Sequence, residues 1–319
     1  MQEIIPPVER DLLKAELTED KFLRYTNFGN RRVYVVTAHD APNVMLELGR
    51  LREVSFRLGG GGTGKATDID EFDTMENPYK QLVVWDTEDE EIVGGYRFIE
   101  GNRVQFGTDG EPKLSTTEIF RFSPRFIKEY LPQTIELGRS FVQPKYQSSR
   151  KGVFSLDNLW DGLGGLVTLN ESWMRYFFGK VTMYTSFNKE ARDTILYYIN
   201  KYHKDTENLV RPLTPLLLDT PENKLSGIFE GLSLEEAYKA TVRRVRELGE
   251  NIPPLFNSYI KLSPTMRTFG TCVNPYFGGV EETGILIKMD EIYDSKKERH
   301  IPSLLEEVRV PKTPNGFSL

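Results

Sequence analysis

Residues 134–147 read T-I-E-L-G-R-S-F-V-Q-P-K-Y-Q and place a carboxylate, Glu136, close to a guanidinium, Arg139, in an otherwise apolar strand-like run. Side chains on a strand alternate faces, so Ile135 and Leu137 point one way and Glu136 the other, which leaves Arg139 on the apolar face. A charge buried there without a partner is too costly. A bulge at Gly138 shifts the register by one and returns Arg139 to the side of Glu136, where the two share a site. A carboxylate suits proton removal and an arginine fork suits an anionic group, so the pair points to catalysis rather than scaffolding.

The elements that must position this pair follow from the pattern of apolar residues. The periodicity predicts helices over residues 8–23 and 42–57, a strand over 32–37 between them, and then strands over 81–85, 92–99 and 116–122. A strand over 134–142, a helix over 156–168, a strand over 181–186 and a helix over 189–202 come next. The capping box at Ser233 to Glu236 opens a helix over 234–248, and strands are expected over 266–273 and 284–289. We divide the chain into an N-terminal helical segment (1–30), a core (31–210), a C-terminal extension packed on it (211–300) and a tail (301–319).

Composition narrows the class. A chain of 319 residues with 39% hydrophobic content builds a real core. A single cysteine, Cys272, excludes an intramolecular disulfide, and three scattered histidines (His39, His203, His300) give no zinc pattern. The N-terminus has no secretory signature and no apolar run approaches the roughly 18 residues of a membrane span, so a cytoplasmic location is expected. A net charge of -6 argues against general nucleic-acid binding while leaving room for local basic patches.

Four motifs in order resemble the GCN5-related N-acyltransferase (GNAT) superfamily, and within it the ornithine-lipid and glycine-lipid N-acyltransferases, some labelled hemolysin-like, together with acyl-homoserine-lactone synthases. They are Arg52 with Phe56, then Asp68, Asp70, Phe72 and Asp73, then Gly94 with Arg97, and finally Glu136 with Arg139. The runs L-W-D-G-L (159–163) and Y-F-F-G-K-V (176–181) are similar to the lipid-forming branch. The resemblance covers about residues 33–202. It implies an α/β (α+β) fold, with a mixed, mostly antiparallel twisted sheet flanked by helices and a C-terminal α/β extension.

The resemblance also implies roles. Glu136 is the expected general base toward a protonated amine, directly or through a water. Arg139 and Arg97 hold an acceptor carboxylate or order the acidic loop. A backbone N–H of a bulged strand near Phe141 or Val142 serves the oxyanion, and Tyr197 or Tyr198 protonates the departing thiolate. Arg52, Phe56, Asp70, Asp73, Arg97, Phe141, Val142 and Trp160 form the expected substrate-binding set. Aromatic residues including Phe120, Phe178 and Trp160 are available for an acyl channel, and Trp173 with Met174 for contact with the inner face of a membrane. The family's phosphate loop falls on Gln147, Ser148, Ser149, Arg150, Lys151 and Gly152, with Arg150 where the first loop glycine is expected. A bulky cation there disfavours cradling of a pyrophosphate by backbone and suits the phosphodiester of acyl carrier protein, which Lys145, Arg150 and Lys151 attract. Acyl carrier protein is therefore the expected donor, with acyl coenzyme A as the other thioester, and no tightly bound cofactor or metal is expected.

Other signals are set aside. Residues 59–66, G-G-G-G-T-G-K-A, nearly spell a nucleotide-binding loop, but Ala66 stands where magnesium needs a hydroxyl and a helix precedes where a strand is required. A lid or substrate loop is the expectation there. Cys272 reads as a buried structural thiol. The expected activity is transfer of a long, optionally 3-hydroxylated acyl group to the amine of glycine or ornithine, giving a lyso-aminolipid. The alternatives are an acyl-homoserine-lactone-type signal synthase and a non-catalytic lipid-binding, hemolysin-like protein.

Overall fold

A computed structural model describes residues 1–147 and 154–301. In chain order the main elements are α1 (Arg10–Glu16), β1 (Phe22–Tyr25), β2 (Arg32–Val36), α2 (Pro42–Gly59), α3 (Glu71–Thr74), β3 (Lys80–Asp86), β4 (Glu91–Glu100), β5 (Phe120–Phe122) and β6 (Thr134–Val142). There follow α4 (Ser155–Leu169), β7 (Tyr176–Met183), α5 (Lys189–Tyr202), β8 (Val210–Pro212), α6 (Glu222–Ile228), α7 (Leu234–Glu247), α8 (Pro254–Ile260), β9 (Arg267–Asn274), β10 (Val280–Lys288) and α9 (Asp294–His300).

Eight strands form one sheet in the order β1-β2-β3-β4-β6-β7-β10-β9. All neighbours pair antiparallel except β6 with β7. The mixed, largely antiparallel sheet flanked by helices is the fold the sequence led us to expect. α2 lays Val44, Met45, Leu48 and Leu51 against Tyr34, Val36, Val83 and Trp85 on one face. On the other, α4 packs Leu159, Leu163 and Leu166 with Leu82, Val84, Tyr96 and Leu137, and this core continues into α5, α7 and α8. A third cluster around Phe120, Phe122, Phe126 and Phe178 covers the α2-side face toward β9 and β10.

Several boundaries differ from expectation. The helix predicted over 8–23 stops at Glu16, and Phe22–Tyr25 turns into the edge strand β1. The strand predicted over 116–122 is a 3-10 turn, Ser115–Glu118, followed by the short β5, which pairs with β8 outside the main sheet. β7 begins at Tyr176 rather than at 181. The expected C-terminal extension supplies β9 and β10 to the main sheet instead of packing against it. Met174 is buried at 3% exposure and the Trp173 indole N–H is held by Asn170 at 3.1 Å, so the pair offers no joint apolar surface to a bilayer. Among the described residues no helix is long and apolar enough to cross a membrane.

Candidate active site

The parallel pairing of β6 with β7 runs from Thr134 opposite Tyr176 to Leu137 opposite Gly179 and then ends. Gly179 stands at the vertex because a Cβ there would come within 2.9 Å of the Leu137 carbonyl oxygen. Past it, β6 stays with β4 while β7 stays with β10, so the sheet splits into a wedge. Alternate peptide groups of the inner edges then face the gap with no strand to pair them. A cavity of about 250 Å³ occupies the wedge.

β6 carries the bulge that its charges require. Gly95 lies opposite Phe141 and Arg97 opposite Gly138, so three steps along β6 match two along β4. Arg139 takes the extra place with φ 47°, in the left-handed region. For a non-glycine residue this conformation costs on the order of 1–3 kcal/mol, which its contacts must offset. Arg139 donates to Asp68 at 2.7 Å and to Asp70 at 3.5 Å, and its guanidinium lies over the Phe277 ring, 4.4 Å from the centroid.

These contacts belong to a larger network. Arg97 donates to Asp70 at 2.7 Å and to Asp73 at 3.3 Å, Arg52 pairs with Asp73 at 3.4 Å and also donates to Gln81, and Gln81 donates to Asp73 at 2.9 Å. Asp70 caps α3 as well, accepting from the Phe72 and Asp73 N–H groups in a capping box. Three arginines thus meet three aspartates. Burial alone would raise Asp70, but Arg97 and Arg139 outweigh it and hold the carboxyl at about 2. Burial opposes the charge on Arg97, and Asp73 and Asp70 overcome it and hold the guanidinium more firmly protonated than usual. The structure therefore joins Arg52, Asp68, Asp70, Asp73, Arg97 and Arg139 in one cluster, and Arg139 enters it without Glu136, the partner expected for it.

Glu136 lies elsewhere than expected. It sits below the vertex at 1% exposure, accepting from the Tyr79 hydroxyl at 2.6 Å and from Ser115 Oγ at 3.3 Å. Burial raises its proton affinity, with the Tyr79 hydrogen bond opposing. Glu136 does not line the cavity, and both of its oxygens are engaged. Direct reach to an incoming amine, the simplest form of the expected base role, is not what the fold provides, because Tyr79 and Ser115 close over the carboxyl.

Phe56, Phe141 and Val142 line the cavity. Trp160 does not; it packs edge-on against Tyr259 with ring centroids 5.5 Å apart. Phe120 and Phe178 belong to the core. Tyr197 stacks on Phe229 and Tyr198 contacts His203, both away from the cavity, so neither meets a thiolate leaving the wedge. Lys145 is engaged by Glu91 at 2.9 Å and Asp89 at 3.4 Å, and the Gln147 side chain donates to the Val142 carbonyl at 2.7 Å. Arg150, Lys151 and Gly152 lie outside the described residues.

The sequence reading missed the second wall of the cavity. Lys180 and Thr182 project from β7, and Glu282 of β10 lies opposite Thr182. Glu282 accepts from Lys180 at 2.6 Å, Asn274 at 2.8 Å and Thr182 at 3.2 Å. Tyr184 also lines the cavity, its hydroxyl kept protonated by burial and by Glu282. Tyr96, Ser140 and Tyr259 contribute hydroxyls from the α4 side. The alternation of Lys180 and Thr182 with buried Val181 and Met183 was the available signal, hidden by a strand start set too late. The glycine run closes this wall: side chains at Gly59 or Gly61 would collide with or crowd Tyr184, and Glu53 takes the amides of Thr63 and Gly64. The run follows a helix C-terminus, the opposite pole from one that attracts phosphate.

The arrangement offers a wedge for an extended thioester, a charged wall on the α2 side and an apolar wall from Leu156, Leu159, Pro254 and Leu255 on the other. The model of the acetyltransferase (GNAT) domain matches residues 51–156. A glycine N(alpha)-acyltransferase of Phocaeicola vulgatus is 56% identical over 310 residues, covering 96% of this chain and 95% of that protein. A protein of the same name from Bacteroides thetaiotaomicron is 57% identical over 309 residues, covering 96% and 91%. Among solved structures, the CoA-dependent acyl-homoserine lactone synthase BjaI with SAM and isopentyl-CoA aligns at 14% identity and a TM-score of 0.31, over 51% of this chain and 72% of that one. A likeness that distant carries no functional weight.

Proposed function

The chain belongs to the GNAT acyltransferase family and is an N-acyltransferase; from that premise we propose that it moves a long-chain fatty acyl group, 3-hydroxylated chains included, from acyl carrier protein to the amine of glycine, giving a lyso-aminolipid. The observation that carries the proposal is the wedge itself, which presents ionic groups to one end of a bound thioester and apolar side chains to the other. Arg139 and Lys180 suit the carboxylate of a small amino acid. Leu156, Leu159 and Leu255 suit the first methylenes of the chain, each contributing about 0.8 kcal/mol when buried. A thiolate released in the wedge meets Tyr184, the proton source in place of Tyr197. The names of the two relatives favour glycine over ornithine.

An acidic carrier protein as donor is supported by a second surface. A groove between α7 and α8 is lined by Lys239, Arg243, Arg246 and Lys261, and among the described residues Arg243, Arg246 and Lys261 pair with no carboxylate. This basic patch on a chain of net charge -6 adjoins the start of α8, where Pro253, Pro254 and Leu255 border the cavity. Such a patch attracts and orients an acidic partner. The test supplies purified protein with 3-hydroxyacyl carrier protein or the matching coenzyme A thioester and a panel of amino acids, and weighs the products. N-acylglycine formed preferentially from the carrier protein is the expected result. Equal use of the coenzyme A thioester rejects the donor, and preference for another amine rejects the acceptor.

A further inference from the structure

The apolar wall of the wedge carries a polar feature that transfer of a plain hydrocarbon chain does not use. Tyr96 of β4 lines the cavity together with Ser140 of β6 and Tyr259 of α8. In the register of β4 with β6, Tyr96 falls between Gly95, opposite Phe141, and Arg97, opposite Gly138. It therefore stands across from the Arg139–Ser140 bulge, just past the vertex where Leu137 leaves Gly179. Its ring belongs to the α4-side core with Leu82, Leu137 and Leu159, while Arg97, the next residue, turns to the charged cluster on the other face. Tyr259 is braced edge-on by Trp160, with ring centroids 5.5 Å apart.

Tyr96 is 2% exposed, and its hydroxyl is buried with no partner in hydrogen-bonding geometry. The Ser140 and Tyr259 hydroxyls are the polar groups that act on it. Burial raises the proton affinity of both phenols, so each keeps a hydrogen to donate. Buried hydroxyls are normally paired, and one left open beside a cavity needs a reason. Around these three hydroxyls the wall is hydrocarbon, from Leu156, Leu159 and Leu255, and the charged residues of the lining, Arg139, Lys180 and Glu282, belong to the opposite wall. The occupant that fits is an apolar chain bearing one small neutral group that both donates and accepts. An alcohol does this, whereas a carboxylate or an ammonium would be buried there without a counter-charge.

We propose that Tyr96, with Ser140 and Tyr259, forms a subsite for the hydroxyl of a 3-hydroxyacyl chain and is the residue that selects hydroxylated donors over plain ones. The subsite rests on the N-acyltransfer reading and narrows its donor class. Carbon 3 lies next but one to the thioester carbonyl carbon, so its hydroxyl stays close to the point of transfer, as Tyr96 does to the vertex. With a plain chain in place the Tyr96 hydroxyl remains buried and unpaired, and with the hydroxylated chain it gains a partner. The penalty therefore falls on the donor that lacks the hydroxyl.

The test compares kcat/KM for a 3-hydroxyacyl thioester and the unsubstituted thioester of equal chain length, each on acyl carrier protein and on coenzyme A, with glycine as acceptor. Wild type is expected to favour the hydroxylated chain by roughly 5- to 150-fold, the effect of leaving one buried donor unsatisfied. Tyr96→Phe should bring the ratio toward equality by lowering use of the hydroxylated chain alone, and Tyr259→Phe should move it the same way by less. Denaturant unfolding of Tyr96→Phe should show stability at least that of the wild type, because an unpaired buried hydroxyl is removed and the ring is kept. Equal use of the two chains by the wild type, an unchanged ratio in Tyr96→Phe, or a loss shared by both chains overturns the subsite. So does a destabilised Tyr96→Phe, which would mean that the hydroxyl is already paired within the fold. A wild type that acylates no amine from any of the four thioesters fails the functional reading first, and the subsite falls with it.

Discussion

The two walls of the wedge manage charge differently. On the β4–β6 side three arginines answer three aspartates: Arg52, Arg97 and Arg139 against Asp68, Asp70 and Asp73, with Arg52 and Arg97 buried and Asp70 also fastening α3. On the β7–β10 side Lys180 is matched by Glu282, whose other partners are the neutral Asn274 and Thr182. The first wall is a framework, because moving any one member strands another in a low-dielectric interior, and of its arginines Arg139 is the one that reaches the cavity. The second rests on the single pair of Lys180 with Glu282. Rigid construction on one side is what lets that pair be placed for chemistry.

The largest expected effect breaks the answered wall. Arg97→Ala leaves Asp70 and Asp73 short of a partner, and denaturant unfolding should register a loss of about 3–5 kcal/mol. A loss under about 1 kcal/mol, typical of an exposed pair, would mean that the cluster is not the framework described. Next comes the other wall. Lys180→Met removes a charged donor facing the acceptor, and glycine KM should rise roughly 10- to 150-fold, the equivalent of about 1.5–3 kcal/mol for a hydrogen bond to a charged group. An unchanged KM removes Lys180 from acceptor binding. A smaller effect is expected at the apolar wall. Leu255→Trp narrows the chain end of the cavity, and profiling donors of increasing length should show the optimum moving to shorter chains, by about fourfold in kcat/KM for each methylene excluded, from about 0.8 kcal/mol apiece.

Acid titration separates the walls from the core most finely. Asp70 sits at about 2 in the fold against an ordinary 3.8, so its stabilisation is complete above the unfolded value and is lost as the pH falls toward 2. Glu136 is raised by burial, so its ionisation weakens the fold and acidification from neutral pH relieves that cost. Asp70→Asn should flatten the acid limb of stability, while Glu136→Gln should keep that limb and abolish the gain on mild acidification. Identical stability profiles for the two variants would contradict this opposition.

What could be read in the sequence followed the same division. The β6 bulge was legible because an arginine on an apolar strand face has to be relieved, but the partner read for Arg139 was Glu136, whereas the fold gives it Asp68 and Asp70. The helix over 189–202 and the capped helix from Leu234 were legible from local pattern alone. Lys180 and Glu282 were not, since they are 102 residues apart and meet only when β10 pairs with β7. Residues 115–120 were misread for a different reason. The segment alternates like a strand, yet anchoring at Ser115 and Phe120 bends it into a turn.

The central claim is that acyl transfer takes place in the gap between β6 and β7, and a crystal structure of the protein with N-acylglycine tests it most directly. The account predicts density past the vertex at Gly179, with the product carboxylate at Arg139 and Lys180 and the chain against Leu159 and Leu255. Product seated outside the wedge, with Arg139 and Lys180 keeping only their present partners, would contradict it.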